Sequence, residues 1–339
     1  MGYFSPKDVR VLHKAQLVWG TEAAEANYAI AHGTNEPDIE YELNVHESGQ
    51  VTGQRWKLTT DTRTDMKGAL PKITQSGETV FKSSLANHLY SFCQQVTEGE
   101  TTPFSKTFTC HDTQPAFTSN AGFFRTIVLQ NPEASTDLAF KDCVANQITF
   151  TLDGPKGELM YDVGFTSRGS GSAAHNHTGT IYRVGSGSFS YEDMDRHTVA
   201  INGGEAKVFQ PVGAITMAFT QDIIGVGVDS AGDGRVESYL LTNKAGTLSC
   251  EMNFDHRART LKHAKDNDYA VVWNIGWGNV TPGTDDGDLD FAFSSKITSF
   301  KENFGGDVYT CDIECAIGAP DNTGELFTIV MADAIDKGW

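Results

Sequence analysis

Gly169-Ser170-Gly171-Ser172-Ala173-Ala174 has the spacing G-x-G-x-x-A, in which glycines let the backbone approach a pyrophosphate seated on the N-terminus of the following helix. The chain continues His175-Asn176-His177-Thr178-Gly179, a polar run with no helical stripe. The segment therefore reads as a flexible loop, and dinucleotide binding is not expected. His175 and His177 face one way in an extended segment and have the chemistry of two metal ligands, with Glu192 or Asp193 as a third. In a Gly/Ser loop the ordinary reading of such a pair is solvated, and no metal is expected. His46-Glu47 starts as a zincin helix does, but Gln50 stands where the second histidine belongs and the stretch reads as a turn.

Asp229-Ser230-Ala231-Gly232-Asp233-Gly234 matches half of a calcium loop, yet position three is Ala231 and position twelve is Leu240 instead of a bidentate glutamate. Asp285-Asp286-Gly287-Asp288-Leu289-Asp290 has the chemistry to hold a hard cation weakly, but its ordinary reading is a solvated acidic turn. His256, Arg257 and Arg259 read as a solvated helix face or a patch toward a neighbouring chain. Trp273 and Trp277 have the spacing of an aromatic platform for a sugar, which makes a carbohydrate-binding or adhesin-type β-sandwich the rival class; half-buried packing is their plainer use. Neither GxxxxGK[ST] nor GxSxG occurs, so phosphoryl and acyl transfer lack their usual anchors and no enzyme is expected. Cys93, Cys110, Cys143, Cys250, Cys311 and Cys315 form no CxxC pair. Cys311 and Cys315 share a strand face about 13 Å apart, beyond disulfide reach.

The elements that would carry these residues are mostly strands. The chain has 339 residues, 34 of them glycine, with 44 acids against 26 bases. A net charge of −18 without basic stripes argues against tight nucleic-acid binding. The N-terminus lacks the apolar run of a signal peptide and no eighteen apolar residues run together, so synthesis in the cytosol and no membrane span are expected.

The clearest element is a long hairpin. Ile148, Phe150 and Leu152 alternate with Gln147, Thr149 and Thr151, and Leu159, Tyr161 and Val163 alternate around Asp162, on either side of the turn cluster Asp153 to Glu158. Near the C-terminus a second hairpin turns at Gly305-Gly306, with Phe291, Phe293 and Ile297 on one arm and Tyr309, Cys311, Ile313 and Cys315 on the other, Asp312 and Glu314 pointing the opposite way. Each hairpin follows a helical stretch. One spans residues 83–98, with Ser83 or Ser84 as N-cap and Leu85, Leu89, Phe92, Cys93 and Val96 in one stripe. The other is capped by Asp255, with Ala258, Leu261 and Ala264 on one side.

The order strand, helix, strand, long hairpin thus occurs twice, and Gln147-Ile148-Thr149 echoes Lys296-Ile297-Thr298. The expected organisation is an N-terminal arm (1–36), a first β-sandwich with a flanking helix (37–168), a Gly/Ser-rich linker or inserted loop with one short strand at Thr180 to Val184 (169–205) and a second such β-sandwich (206–339). The arm and linker read as too polar and irregular for a core.

The segments "RVLHKAQLVWGTEAAEANYAI", Gly53 through the first helix, "CVANQITFTLDGPKGELMYDVGF" and the order from "FFRTIVL" to "IECAIGAPDN", with Trp19-Gly20-Thr21, resemble the major tail tube proteins of long-tailed, non-contractile bacteriophages. The likeness spans nearly the whole chain and lies in strand order and weak motifs. It implies a mainly β fold of tandem tube-like β-sandwiches, each with one flanking helix and a long hairpin contributing to a shared inner β-barrel. It also implies a virion structural protein assembled in the host cytoplasm into stacked rings, through which DNA passes without specific binding. Its partners would be other copies of itself, a tape measure protein, a tail terminator and distal tail proteins. Six tube domains per ring imply trimeric rings for a chain with two copies, in preference to a hexamer with one copy outside. On this reading Gln147, Thr149, Thr151, Asp162, Asp312 and Glu314 face the lumen.

Overall fold

A computed structural model describes residues 9–17, 19–24, 28–30, 37–40, 44–47, 62–65, 70–79, 82–93, 95–111, 123–130, 136–154, 157–174, 176–180, 189–209, 211–227, 235–278, 283, 287–306, 308–319 and 324–333. In chain order they form β1 (Arg10–Ala15), β2 (Tyr28–Ile30), β3 (Asp38–Glu40), β4 (Asn44–Glu47), β5 (Thr62–Asp65), β6 (Lys72–Thr79), α1 (Lys82–Phe92), β7 (Gln95–Glu98), β8 (Phe104–His111), β9 (Arg125–Gln130), β10 (Thr136–Leu152) and β11 (Leu159–Thr166). There follow β12 (Gly169–Ala174), β13 (Gly179–Thr180), β14 (Arg196–Ile201), β15 (Lys207–Val208), β16 (Pro211–Val226), β17 (Ser238–Asn253), α2 (His256–Asp266), β18 (Val271–Trp277), β19 (Leu289–Asn303), β20 (Thr310–Ile317) and β21 (Glu325–Asp333). The protein is mainly β, with a large antiparallel sheet and two helices among the described residues.

Eight strands pair in the order β3-β6-β11-β10-β16-β17-β20-β19, all antiparallel. The second four repeat the first four position for position. The hairpin β10–β11 corresponds to β19–β20, β6 to β17 and β3 to β16. The first half of each long strand leaves this layer for another set of partners: β10 lies between β9 and β12, and β19 lies between β18 and β21. A helix precedes each set, α1 before β9 and α2 before β18. The main departure from the repeat is β7–β8, which leaves α1 and adds to β21 in the later half.

Alternation creates the core. Ile148, Phe150, Leu152, Tyr161, Val163, Met217, Phe219, Leu248, Cys250, Cys311 and Ile313 line one face of the eight-strand layer and are all buried. They meet rings from the branch strands: Phe150 lies 4.8 Å from Phe291, and Phe219 lies 4.0 Å from Phe327. Leu85, Leu89 and Phe92 of α1 and Ala258, Leu261 and Ala264 of α2 close the same cluster. The Asp255 carboxylate accepts from the N–H groups of Arg257 and Ala258, as expected of an N-cap.

Several expectations need correction. The first helix stops at Phe92, because Gln95–Glu98 pair with β8 and the β-branched Val96 and Thr97 join that ladder. The segment read as a linker carries β12 and β14, which pair with β10 and β18. The segment read as an arm carries β1, paired with β9 along its whole length and burying Leu12. Both were misjudged because small or mixed residues can supply ladder hydrogen bonds without an apolar pattern. His46-Glu47 lies in strand β4, paired with β5. The echo also shifts: the extra residue of the bulge is Asn146 in β10 and Thr298 in β19, which aligns Gln147 with Ser299.

Where β10 passes from one set of partners to the other, a bulge breaks its register between Phe140 and Cys143, and Asp142 takes a left-handed φ of 53°. The Asp142 side chain accepts from Gln16 Nε2 and from the Gly20 N–H at 2.8 Å, while its own N–H donates to Gln16 Oε1 at 3.0 Å. Its carbonyl accepts from Tyr239 Oη at 3.0 Å. Arg168 approaches the carboxylate at 3.6 Å, donates to the Val236 carbonyl at 2.7 Å and lies over the Trp19 ring. Burial pushes the Asp142 carboxyl above its ordinary range, opposed by the Gly20 N–H, Gln16 and Arg168. One residue thus ties the N-terminal segment, the β10 corner and the β16–β17 ribbon.

Asp142→Ala strands the buried Arg168 and forces a Cβ residue with no polar arm into the left-handed region, so it is expected to cost about 3–5 kcal/mol. Asp142→Asn keeps an acceptor and tolerates that φ, and is expected to cost less than about 2 kcal/mol. Urea unfolding followed by tryptophan fluorescence distinguishes the two; equal losses would contradict this role.

Candidate assembly face and strand edges

The face of the eight-strand layer opposite the core is made of small polar side chains. Thr149 stands beside Ala218, Ala218 beside Thr247, Thr247 beside Ala316 and Ala316 beside Lys296. A neighbouring row runs Thr151, Thr216, Ser249, Glu314 and Ser299. Gln147 and Glu314 are exposed, whereas Thr149, Thr151, Asp162 and Asp312 are half-buried. Asp162 is also structural, since its carboxylate accepts from the Gly77 N–H at 2.6 Å where β6 bulges.

Among the described residues this face carries six carboxylates (Asp38, Glu40, Asp162, Glu251, Asp312, Glu314) against three lysines (Lys72, Lys296, Lys301). The apolar hairpin residues fall on the other side: Ile148, Phe150, Leu152, Leu159, Tyr161, Val163, Ile297, Cys311 and Ile313 are buried, and Tyr309 is half-buried, donating to Glu302 at 3.0 Å.

Among the described residues the layer is open at both ends. Among the described residues β3 pairs with β6 alone. On β19, Ser295 pairs with both Val271 and Ile317, so β18 and β20 lie on opposite edges; on the β18 edge, residues 296–303 have no strand partner among the described residues. Beyond them, Phe304 and Val308 at the β19–β20 turn are 72% and 60% exposed.

The candidate chemical residues do not converge. His177 is buried, its Nδ1 2.9 Å from Asp137 and its Nε2 2.9 Å from Glu22; Glu192 and Asp193 are elsewhere, Asp193 accepting from Ser190 Oγ. The ring is thus a clamp between β10, the N-terminal segment and the loop after β12. His175, Asp229 to Gly234, Asp285 and Asp286 lie outside the described residues.

Asp288 and Asp290 are buried, which corrects the reading of a solvated turn. Arg196 grips Asp290 with two nitrogens and donates to the Trp277 carbonyl at 2.6 Å. Trp273 and Trp277 are fully buried, their indole N–H groups donating to Ser295 Oγ and the Ser190 carbonyl. No ring face is left for a sugar, because strand alternation turns both inward. All six cysteines are buried and unbridged.

Residues missed in the sequence are Asp142, Arg168 and Arg196, the last as the partner of Asp290. The one available signal was an aspartate inside the otherwise strand-like run Phe140 to Ala145. No model of a known protein family matches the chain, and no curated protein matches it.

Burial raises the Asp290 carboxyl to about 6, against the pull of Arg196. A folded value above the unfolded one favours the protonated group, so its stabilising share is complete below about 4 and is lost as pH rises through about 6. Relative to Asp290→Asn, the natural protein is expected to gain melting temperature as pH falls from 7 to 4. A difference that stays flat or moves the other way would contradict this.

Proposed function

We propose that the chain is a structural subunit that polymerises as stacked rings into a tube, the tail tube of a long-tailed bacteriophage, and is not an enzyme. The observation that carries this reading is the doubled four-strand layer, dry on one side, polar on the other and, among the described residues, open at both edges. A long exposed edge invites pairing with another chain, and repeated edges of opposite kind give head-to-tail addition that closes as a ring. Each copy is read as a tube-like β-sandwich with its helix and hairpin, so three chains supply six copies.

Such a ring holds twenty-four strands. At ~4.8 Å per strand and a moderate tilt, the barrel is about 40–50 Å across between backbones, wide enough for duplex DNA between short side chains. An excess of carboxylates on that wall repels phosphates within a Debye length of about 8 Å, so DNA passes without specific binding. On this reading the protein belongs to the virion tail, is assembled in the host cytoplasm, and meets a tape measure protein, a tail terminator and distal tail proteins at the tube's ends and bore.

Negative-stain electron microscopy of the concentrated protein, alone and with tail initiation components, is expected to show hollow tubes or rings; dispersed monomers in both samples would overturn the reading. In phage particles carrying Thr149→Lys, Thr247→Lys and Ser249→Lys together, tubes are expected to remain intact while DNA ejection slows. Unchanged ejection kinetics would count against a lumenal position for this face.

A further inference from the structure

Resting on the ring reading, we infer that the seam between neighbouring chains is a copy of the seam inside each chain: the free edge of β19 pairs antiparallel with β3 of the next copy, Lys301 opposite Glu40, Glu302 opposite Ile39 and Asn303 opposite Asp38. The register follows from the duplication and involves no adjustable choice. Aligning the bulges, with Asn146 matching Thr298, places Thr149, Phe150 and Thr151 at Lys301, Glu302 and Asn303. The alignment holds across the hairpins, since Thr149 pairs with Asp162 as Lys301 pairs with Asp312, and Thr151 with Met160 as Asn303 with Thr310.

The other side of the seam aligns in the same way. Gly164 pairs with Thr74 where Glu314 pairs with Ser249, so β6 matches β17. Asp38, Ile39 and Glu40 oppose Thr74, Ile73 and Lys72 as Thr216, Met217 and Ala218 oppose Ser249, Leu248 and Thr247. Inside the chain Thr149 faces Ala218, Phe150 faces Met217 and Thr151 faces Thr216. Substituting equivalents gives the three pairs above.

Edge geometry agrees. β9 occupies the first part of one β10 edge and β16 takes over the second part. On β19, β18 occupies the corresponding first part, and the second part has no strand partner among the described residues. The chemistry of the seam differs from the internal one in a way that favours a second copy of this chain over an arbitrary strand. Lys301 meets Glu40 on the polar face, and both are exposed in the single chain, Lys301 lying 4.0 Å from Asp312. On the core face the half-buried Ile39 meets Glu302, already held by Lys262 and Tyr309. Opposite charges directly across an antiparallel pair stabilise it and like charges oppose it, so a mispaired acidic edge is disfavoured.

The test is a pair of engineered cysteines in the full-length protein. Directly opposed residues have Cα atoms about 4.5–5.5 Å apart, within disulfide reach. Lys301→Cys with Glu40→Cys, oxidised with diamide after assembly, is expected to give covalent trimers on a denaturing gel. Either substitution alone, or Lys296→Cys with Glu40→Cys, is expected to give at least tenfold less. In parallel, Lys301→Glu is expected to reduce ring formation at least tenfold, and Glu40→Lys in the same chain to restore it. Rings without the specific cross-link and without charge rescue would overturn this seam and leave the ring reading standing. Absence of assembly in the unsubstituted protein, with or without initiation components, would overturn both.

Discussion

The ladder between β10 and β16 is the constraint on which the rest of the structure depends. It joins two four-strand units edge to edge, from Gln147 opposite Thr220 to Leu152 opposite Ile215. Because strand side chains alternate, one register places the large apolar residues Ile148, Phe150, Met217 and Phe219 of the two units on the same side. Phe150 and Met217 therefore enter a single core, and a slip by one residue would expose them. The same ladder makes the polar side continuous from β3 to β19, which no single unit could provide.

Bending is localised where bulges permit it. β10 turns at Asp142 and β17 at Asn243, both in left-handed backbone conformations; the first turn lets β10 serve two groups of partners, whereas β17 stays paired with β16 on both sides of the second. The Asp142 corner collects Gln16, Gly20, Arg168 and Tyr239, so the N-terminal segment and the β16–β17 ribbon are fixed relative to the hairpin. A second ion pair, Arg196 with Asp290, fixes β14 against the first residues of β19, where that strand is flanked by β18 and β21. Burial of such pairs is a weak source of net stability; their geometric effect is to hold the direction of the strands that carry the open face. The two halves also interlock, because β7–β8 lies in the first half of the sequence and pairs in the second.

Legibility in the sequence followed local periodicity. The hairpin residues from Ile148 to Val163 and from Tyr309 to Ile313 alternate strictly, and they fold as the pattern demands, whereas the bulge at Thr298 breaks the alternation after Ile297. The Asp255 cap was equally local and equally readable. Strand β12, Gly-Ser-Gly-Ser-Ala-Ala, was not readable, since its pairing with Thr136 to Lys141 rests on backbone groups and a partner far away in the chain. The burial of Trp273 and Trp277 and of Asp288 and Asp290 depends on which strands cover them, information that no window of residues contains. The relation between the halves was visible as a repeated order of elements, but its register was off until the bulges at Asn146 and Thr298 could be matched.

The central claim is that both halves of each chain line one bore. A helical reconstruction of assembled tubes by electron cryomicroscopy tests it most directly, because the number of chains per ring follows from the symmetry and the mass per unit length. The account predicts three chains per ring, with β10–β11 and β19–β20 alternating around the inner wall. Six chains per ring, with one half of each chain on the outside, would contradict it.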